Sequence, residues 1–70
     1  MRLSARNQLK GTIVSIEEGA VNGTVVLDIG GGNQVVSVIS MESIRSLDLA
    51  VGKEAYAVIK ASSVMIGTED

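Results

Sequence analysis

The sequence predicts an all-β fold, a small antiparallel barrel of five strands with one short helix between the third and fourth strands. The apolar residues are mostly Val, Ile, Leu and Ala in short runs, glycine and asparagine separate those runs, and no proline interrupts them. β-branched residues favour strands, and many short strands joined by tight turns are typical of barrels. One segment near the middle has helical spacing instead and is taken as the helix.

Five runs have the length and composition of strands. They are residues 9–17, 24–29, 34–39, 54–60 and 64–66. In the second run, Val25, Leu27 and Ile29 alternate with other residues and so share one face of the strand. Asn-Gly at 22–23 and Gly-Gly-Gly-Asn at 30–33 predict hairpin turns. A phosphate-binding loop would need a Lys-Ser/Thr pair and a helix after the glycines, whereas strand residues follow here.

Residues 40–47 have Met41, Ile44 and Leu47 at helical spacing. Ser40 suits the N-cap position, and Glu42 suits the first turn, where it could pair with Arg45 three residues on. A five-stranded barrel with a helix in this place resembles the OB fold.

Length and composition set further limits. The chain has 70 residues, so residues 1–70 are expected to form a single domain. A domain this short buries only about 60% of its unfolded surface. With no cysteine and no histidine, neither a disulfide nor an ordinary zinc site can add stability. Self-association is the remaining common solution.

The apolar pattern also indicates self-association. Val26, Val35 and Ile39 are taken to lie out of phase with the inward-facing residues of their strands. They would then form an apolar outer surface, which usually marks an interface. The alternative is a core with two apolar sides.

Charge and motif content narrow the function classes. The net charge is −2 and Tyr56 is the only aromatic residue, which disfavours binding to nucleic acid or to an anionic membrane. No segment has the apolar length of a membrane span or a signal-peptide core, so a cytoplasmic location is expected. The chain has no histidine or cysteine for acid–base or nucleophilic chemistry and no evident pair of carboxylates. A Ser40–Lys60 pair is conceivable, but nothing in the sequence indicates a buried lysine, and we expect no enzyme activity.

Three short segments carry a resemblance to a known family. Residues 4–11 read Ser-Ala-Arg-Asn-Gln-Leu-Lys-Gly, residues 38–40 read Val-Ile-Ser with Ser43 beyond them, and residues 57–62 read Ala-Val-Ile-Lys-Ala-Ser. Their order and separations resemble those of the molbindins, small proteins that bind molybdate and tungstate. The resemblance covers nearly the whole chain. It implies an OB-type barrel and a homohexamer, a trimer of dimers, with oxyanion sites shared between subunits.

The chemistry of a tetrahedral dianion fits the same segments. Such an ion offers only acceptor oxygens, so its site needs hydrogen-bond donors and positive charge. Ser4, Ala5 and Arg6 supply a hydroxyl, consecutive amides and a guanidinium within three residues. Ser40 and Ser43 supply hydroxyls at the start of the predicted helix, where free amides also favour anions.

Lys60 adds a positive charge at the end of the fourth predicted strand. The resemblance implies that Ser4, Ala5 and Arg6 come from one chain, with Ser40, Ser43 and Lys60 from its neighbour. It also makes the Ala61 amide and the Ser62 hydroxyl weaker candidates. No side chain is expected to ligate a metal directly, and no cofactor is expected besides the molybdate or tungstate oxyanion.

Storage or homeostasis of molybdate is the function that these observations favour. Two alternatives stay open. The chain could be a structural oligomerisation domain without active anion sites, or an OB-type module that binds single-stranded nucleic acid. Anion binding would distinguish the first alternative from a storage protein, because both would form oligomers.

Overall fold

Four antiparallel strands form one sheet in the computed structural model, which describes residues 1–70. In chain order the elements are β1 (Asn7–Glu18), β2 (Asn22–Gly30), β3 (Asn33–Ser40), the helix α1 (Met41–Ser46), β4 (Glu54–Ile59) and a 3₁₀ turn (Ala61–Ser63). The strand order in the sheet is β3-β2-β1-β4, so β3 and β4 are the free edges. The all-β class and the short helix between the third and fourth strands are therefore confirmed.

The number of strands differs from the prediction. Residues 64–66 follow the 3₁₀ turn in an irregular extended segment and belong to no strand. Val64, Met65 and Ile66 are 46%, 92% and 88% exposed. A strand exists only where its backbone pairs with a neighbour, and this segment meets no edge of its own sheet. The closed barrel of five strands is not formed within one chain.

Strand β1 is the long element that organises the sheet. Residues 7–12 pair with β4, and residues 12–18 pair with β2. The register shifts between Ile13 and Ser15, which marks a bulge near the point where β1 changes partner. Bulges bend a strand and increase its twist, so β1 can curve between two partners. The first half of β1 consequently pairs with β4, and the second half pairs with β2.

The glycine run forms the β2–β3 hairpin, as predicted. Gly30, Gly31 and Gly32 have φ angles of 96°, 63° and 79°. These values lie in the left-handed region, which glycine adopts without a steric penalty from a Cβ atom. The three glycines therefore allow the backbone to turn from β2 into β3.

The core is small. It consists of Ile13, Val25 and Leu27 from the sheet and Met41 and Ile44 from α1, each at most 5% exposed. Fourteen large hydrophobic residues remain exposed. No helix in the structure has the length and apolar character needed to cross a membrane.

Two of the three residues predicted on the outer surface lie on the inner one. Val35 pairs with Leu27 and Ile39 pairs with Gly23, so both share the face of buried β2 residues. Only Val26 has the predicted outward phase. Val36 and Val38 are the exposed residues of β3, at 64% and 66%. Alternation separates two sets of residues in a strand, but pairing with β2 decides which set faces the core.

Candidate oxyanion-binding site

The segment with Ser4, Ala5 and Arg6 lies immediately before β1, where side-chain hydrogen bonds hold it. The Gln8 side-chain amide donates to the Ala5 carbonyl at 3.2 Å. The Asn7 side-chain amide donates across to the Ile59 carbonyl of β4, also at 3.2 Å. Asn7 and Gln8 thus act as positioning residues for the three candidates that precede them. The sequence resemblance included both residues without indicating these partners.

Lys60, Ala61 and Ser62 lie at the same end of the sheet. Asn7 and Ile59 form the last pair between β1 and β4, so Arg6 and Lys60 flank that pair directly in the chain. Lys60 precedes the 3₁₀ turn, and its carbonyl accepts a hydrogen bond from the Ser63 amide at 2.9 Å. The structure therefore brings the first and last candidate segments of one chain together.

Arg6 and Lys60 place two positive charges at this end of the sheet, and neither belongs to an ion pair within the chain. The ion pairs of the chain lie elsewhere, between Lys10 and Glu54 at 3.4 Å and between Lys53 and Asp48 at 2.7 Å. The hydrogen bond from Lys53, together with its charge, lowers the pKa of Asp48 from its usual value. Arg6 and Lys60 have no such carboxylate partner. Their charges are available to a ligand.

Ser40 occupies the N-cap of α1, as predicted. Its hydroxyl oxygen accepts from the Ser43 amide at 3.0 Å, and its hydroxyl hydrogen is donated to the Ser43 hydroxyl at 2.9 Å. A hydroxyl has one hydrogen to donate. The hydroxyl hydrogen of Ser40 is consequently used within the chain, while the hydroxyl hydrogen of Ser43 is free for a ligand.

The first turn of α1 offers fewer free amides than expected. The Met41 amide donates to the Val21 carbonyl at 2.8 Å, and the Ser43 amide is bonded to Ser40. Glu42 is exposed, and it makes no ion pair with Arg45, so that predicted pairing is wrong. The helix start therefore contributes mainly the Ser43 hydroxyl to the candidate donor set.

The two groups of candidates lie at opposite ends of β1. Ser40 pairs with Asn22 at the start of β2, next to the end of β1 at Glu18, whereas Arg6 precedes its start. The strand has 12 residues. Its contour length is about 36 Å at the usual rise of about 3.3 Å per residue. We therefore expect that one small ion does not contact both groups within a single chain.

Two surface hollows lie elsewhere. One, of about 340 Å³, adjoins α1 and is lined by Glu18, Met41, Ile44, Arg45, Asp48 and Leu49. The other, of about 390 Å³, is lined by Lys10, Gly11, Thr12, Asp28, Ile29, Gly30 and Glu54. None of the candidate residues lines either hollow.

Comparison with known proteins gives the family. Residues 3–66 match the sequence profile of the TOBE domain. A probable molybdenum-pterin-binding protein of Haemophilus influenzae is 61% identical over 69 residues, which are 99% of this chain and 100% of that protein. The TOBE match and the match to the Haemophilus influenzae protein each cover nearly the whole chain.

Two solved structures have the same fold. MopII from Clostridium pasteurianum is 46% identical with a TM-score of 0.89, and the match covers 96% of this chain and 100% of that one. The molybdate-bound form of ModG, described as a cytoplasmic molybdate-binding protein, is 48% identical with a TM-score of 0.92. That match covers 99% of this chain and 49% of ModG, so the chain spans about half of that relative. The chain therefore belongs to the TOBE domain family, and the resemblance to the molbindins predicted from its sequence is confirmed.

Proposed function

We propose that this protein binds molybdate reversibly and serves molybdenum storage or homeostasis, without a catalytic step. The observation that carries the proposal is the pair of cations, Arg6 and Lys60, which have no ion-pair partner and lie directly beyond the last β1–β4 pair. Relatives that align over nearly the whole chain are named as molybdenum-pterin-binding proteins, and ModG is described with molybdate bound. Both lines of support point to an oxyanion.

The end of the sheet that carries Arg6 and Lys60, here called the cationic end, has the hydrogen-bond donors that a molybdate ion requires. The Arg6 guanidinium presents several N–H donors in a rigid fork, and Lys60 adds a compact charge. The Ser4 and Ser62 hydroxyls and the Ala5 and Ala61 amides supply further donors near these charges. Donors that are fixed before the ion arrives lose little conformational freedom on binding, and Gln8 and Asn7 supply part of that order.

A complete site would be shared between copies of the chain. Ser43, with Ser40 behind it, lies at the far end of β1 and reaches the ion bound at Arg6 only from a second copy. We therefore propose a homo-oligomer, a homohexamer built as a trimer of dimers, with ions at its subunit interfaces. The exposed apolar residues of the single chain support this association.

The proposal extends to location and ligand range. A cytoplasmic site of action follows the description of ModG. Tungstate has the same charge and nearly the same size as molybdate, so the same donors would accept it. Sulfate is smaller and serves as the discriminating control.

Calorimetric titration of the purified protein with molybdate tests the proposal. We expect saturable heat with molybdate and little heat with sulfate. Losing a charge-assisted hydrogen bond costs about 1.5–3 kcal/mol, so Arg6→Ala should weaken molybdate binding by about 10- to 100-fold. Arg45→Ala removes an equivalent charge at the end of α1 and should bind as the wild type does.

The outcomes separate two functions. Wild-type protein that gives no heat with molybdate would refute the proposal and favour a purely structural oligomerisation domain. Equal binding by the Arg6→Ala and wild-type proteins would remove Arg6 from the site while leaving molybdate binding intact.

A further inference from the structure

The Asn22–Gly23 dipeptide lies outside the turn that its sequence predicts. The turn between β1 and β2 occupies residues 19–21, and Asn22 begins β2. Asn22 pairs with Ser40 on β3 but has no partner on β1, where pairing stops at Gly23 opposite Glu18. The Asn22 backbone is therefore held on one side only, directly after a turn. Strand ends of this kind open more easily than strand centres.

Asn22 also differs from the other two asparagines of the chain. The Asn7 side-chain amide donates to the Ile59 carbonyl at 3.2 Å. The Asn33 side-chain amide donates to the Gly30 carbonyl at 3.3 Å. The Asn22 side chain is exposed and makes no hydrogen bond within the chain. Asn7 and Asn33 each precede a glutamine, so only Asn22 combines a free side-chain amide with a following residue that lacks a Cβ atom.

We propose that Asn22 is a site of spontaneous deamidation. The Gly23 backbone nitrogen loses its proton and attacks Cγ of Asn22. The new N–Cγ bond closes a five-membered succinimide, the Cγ–Nδ2 bond breaks, and ammonia leaves with a proton taken from water. Water then opens the ring, giving aspartate by attack at Cγ and isoaspartate by attack at the backbone carbonyl carbon. An amide is thereby exchanged for a carboxylate, with water as the only co-reactant and no transfer of electrons.

The new charge lies beside the Ser40–Ser43 part of the proposed oxyanion site. Asn22 pairs with Ser40, and paired residues of antiparallel strands have Cα atoms about 4.5–5.5 Å apart. The Ser40 hydroxyl oxygen is 2.9 Å from the hydroxyl oxygen of Ser43, the proposed donor to the ion. A carboxylate at position 22 repels a dianion bound there. This consequence rests on the proposed function, and it means that the protein loses affinity for its ion as it ages.

Isoaspartate has a second effect, on the packing of α1 against β2. It lengthens the backbone by one carbon between Val21 and Gly23. The Val21 carbonyl accepts a hydrogen bond from the Met41 amide at 2.8 Å. A Cβ atom at Gly23 would lie only 2.6 Å from Ile44 Cδ1, so α1 is close to the strand on both sides of position 22. The extra carbon should therefore displace β2 relative to α1.

Peptide mass spectrometry of aged protein tests the modification. The full chain is incubated at mildly alkaline pH, which favours loss of the amide proton, and is then digested with trypsin. Residues 11–45 form one tryptic peptide that contains both Asn22 and Asn33, so Asn33 is an internal control. Asn22 should convert at least about ten times faster than Asn33, because the attacking residue has no Cβ atom. Equal rates at the two positions, or an unconverted Asn22 beside a converted Asn33, would overturn the inference.

Two acidic variants test the consequence for binding, by calorimetric titration with molybdate. Asn22→Asp places a carboxylate beside Ser40, whereas Asn33→Asp places one seven positions away along β3, at about 23 Å. Repulsion between one charge and a dianion about 8 Å apart in water should weaken binding by Asn22→Asp about 2- to 10-fold. Asn33→Asp should bind as the wild type does. Equal affinities of the two variants would overturn the effect on the site.

Aged protein links the two measurements. The affinity of aged wild-type protein should fall in step with the conversion of Asn22. Aged Asn22→Gln should keep its affinity, because the longer side chain does not close a five-membered ring. An equal loss in both aged proteins would refute deamidation as the cause. Fresh wild-type protein that gives no heat with molybdate would refute the proposed function and the effect on binding, while the mass measurement, which needs no ligand, decides the modification separately.

Discussion

Replacing Gly23 by alanine should loosen the helix that carries Ser43. Gly23 lies on the inner face of β2, directly beneath α1. A Cβ atom at this position would lie 2.6 Å from Ile44 Cδ1, 2.9 Å from Met41 Sδ and 3.1 Å from the Glu17 carbonyl oxygen. Carbon atoms in ordinary contact are about 3.5–4.0 Å apart, so the ends of the Ile44 and Met41 side chains, or α1 itself, would have to move by about 1 Å.

The expected loss of stability follows from these distances. Met41 and Ile44 are each 5% exposed and belong to the core, so moving either side chain disturbs core packing. Overpacking of this kind costs about 1–3 kcal/mol. The lower backbone entropy of unfolded alanine returns about 0.4–1 kcal/mol. The net loss should be about 1–2 kcal/mol, or a fall of about 5–15 °C in Tm for a domain of this size.

Urea unfolding followed by circular dichroism measures this loss, with the protomer concentration held constant because association adds to apparent stability. Ile44→Val provides a matched partner, since it deletes the Cδ1 atom that the new methyl group would meet. Alone, Ile44→Val should cost about 0.5–1.5 kcal/mol. The double variant should lose less than the sum of the single losses by at least about 0.5 kcal/mol.

Two results would refute this reasoning. Gly23→Ala with wild-type stability would mean that α1 is not seated closely on β2. Strict additivity of the two substitutions would mean that the cost of Gly23→Ala does not arise from its contact with Ile44.

Three further predictions concern the polar contacts. Ser40→Ala removes the N-cap and should cost about 1 kcal/mol in urea unfolding, whereas Ser40→Gly should cost only a few tenths of that. Ser43→Ala should weaken molybdate binding in calorimetry more than Ser46→Ala does, because only Ser43 has a place in the proposed site. In NMR titrations, Lys53→Met should raise the pKa of Asp48 back toward its ordinary value, because it removes the hydrogen bond and the charge that lower it. The Asp48–Lys53 contribution to stability is present above that ordinary pKa and disappears as pH falls through the lowered one.

The elements that the sequence predicts well are those defined by local pattern. Four strands, the glycine hairpin and the helix capped by Ser40 depend on residue type and spacing within short segments. The run at 64–66 has the same strand composition and yet pairs with nothing in its own chain. Composition indicates that a segment can be a strand, but the position of a free edge decides whether it becomes one.

The candidate site shows the same limit. The donors were identifiable by residue type, but their grouping depends on sheet order, which local pattern does not contain. Arg6 and Lys60 are 54 positions apart in the sequence and lie at the same end of the sheet only because β4 pairs with the first half of β1. The choice between Val35 and Val36 as the inward residue likewise depends on register with β2.

The partner change along β1 gives the two ends of the molecule different local stabilities. Both hairpins, β1–β2 and β2–β3, join neighbouring segments, whereas Asn7 and Ile59 are 52 positions apart. Closing the longer loop carries the larger entropic cost, and β4 is also an edge strand with no fully buried side chain. Amide hydrogen exchange should therefore report fraying of β4 while β2 stays protected. Local fraying of β4 would then separate Lys60 from Arg6, so an ion bound at the cationic end could leave without unfolding of the whole domain.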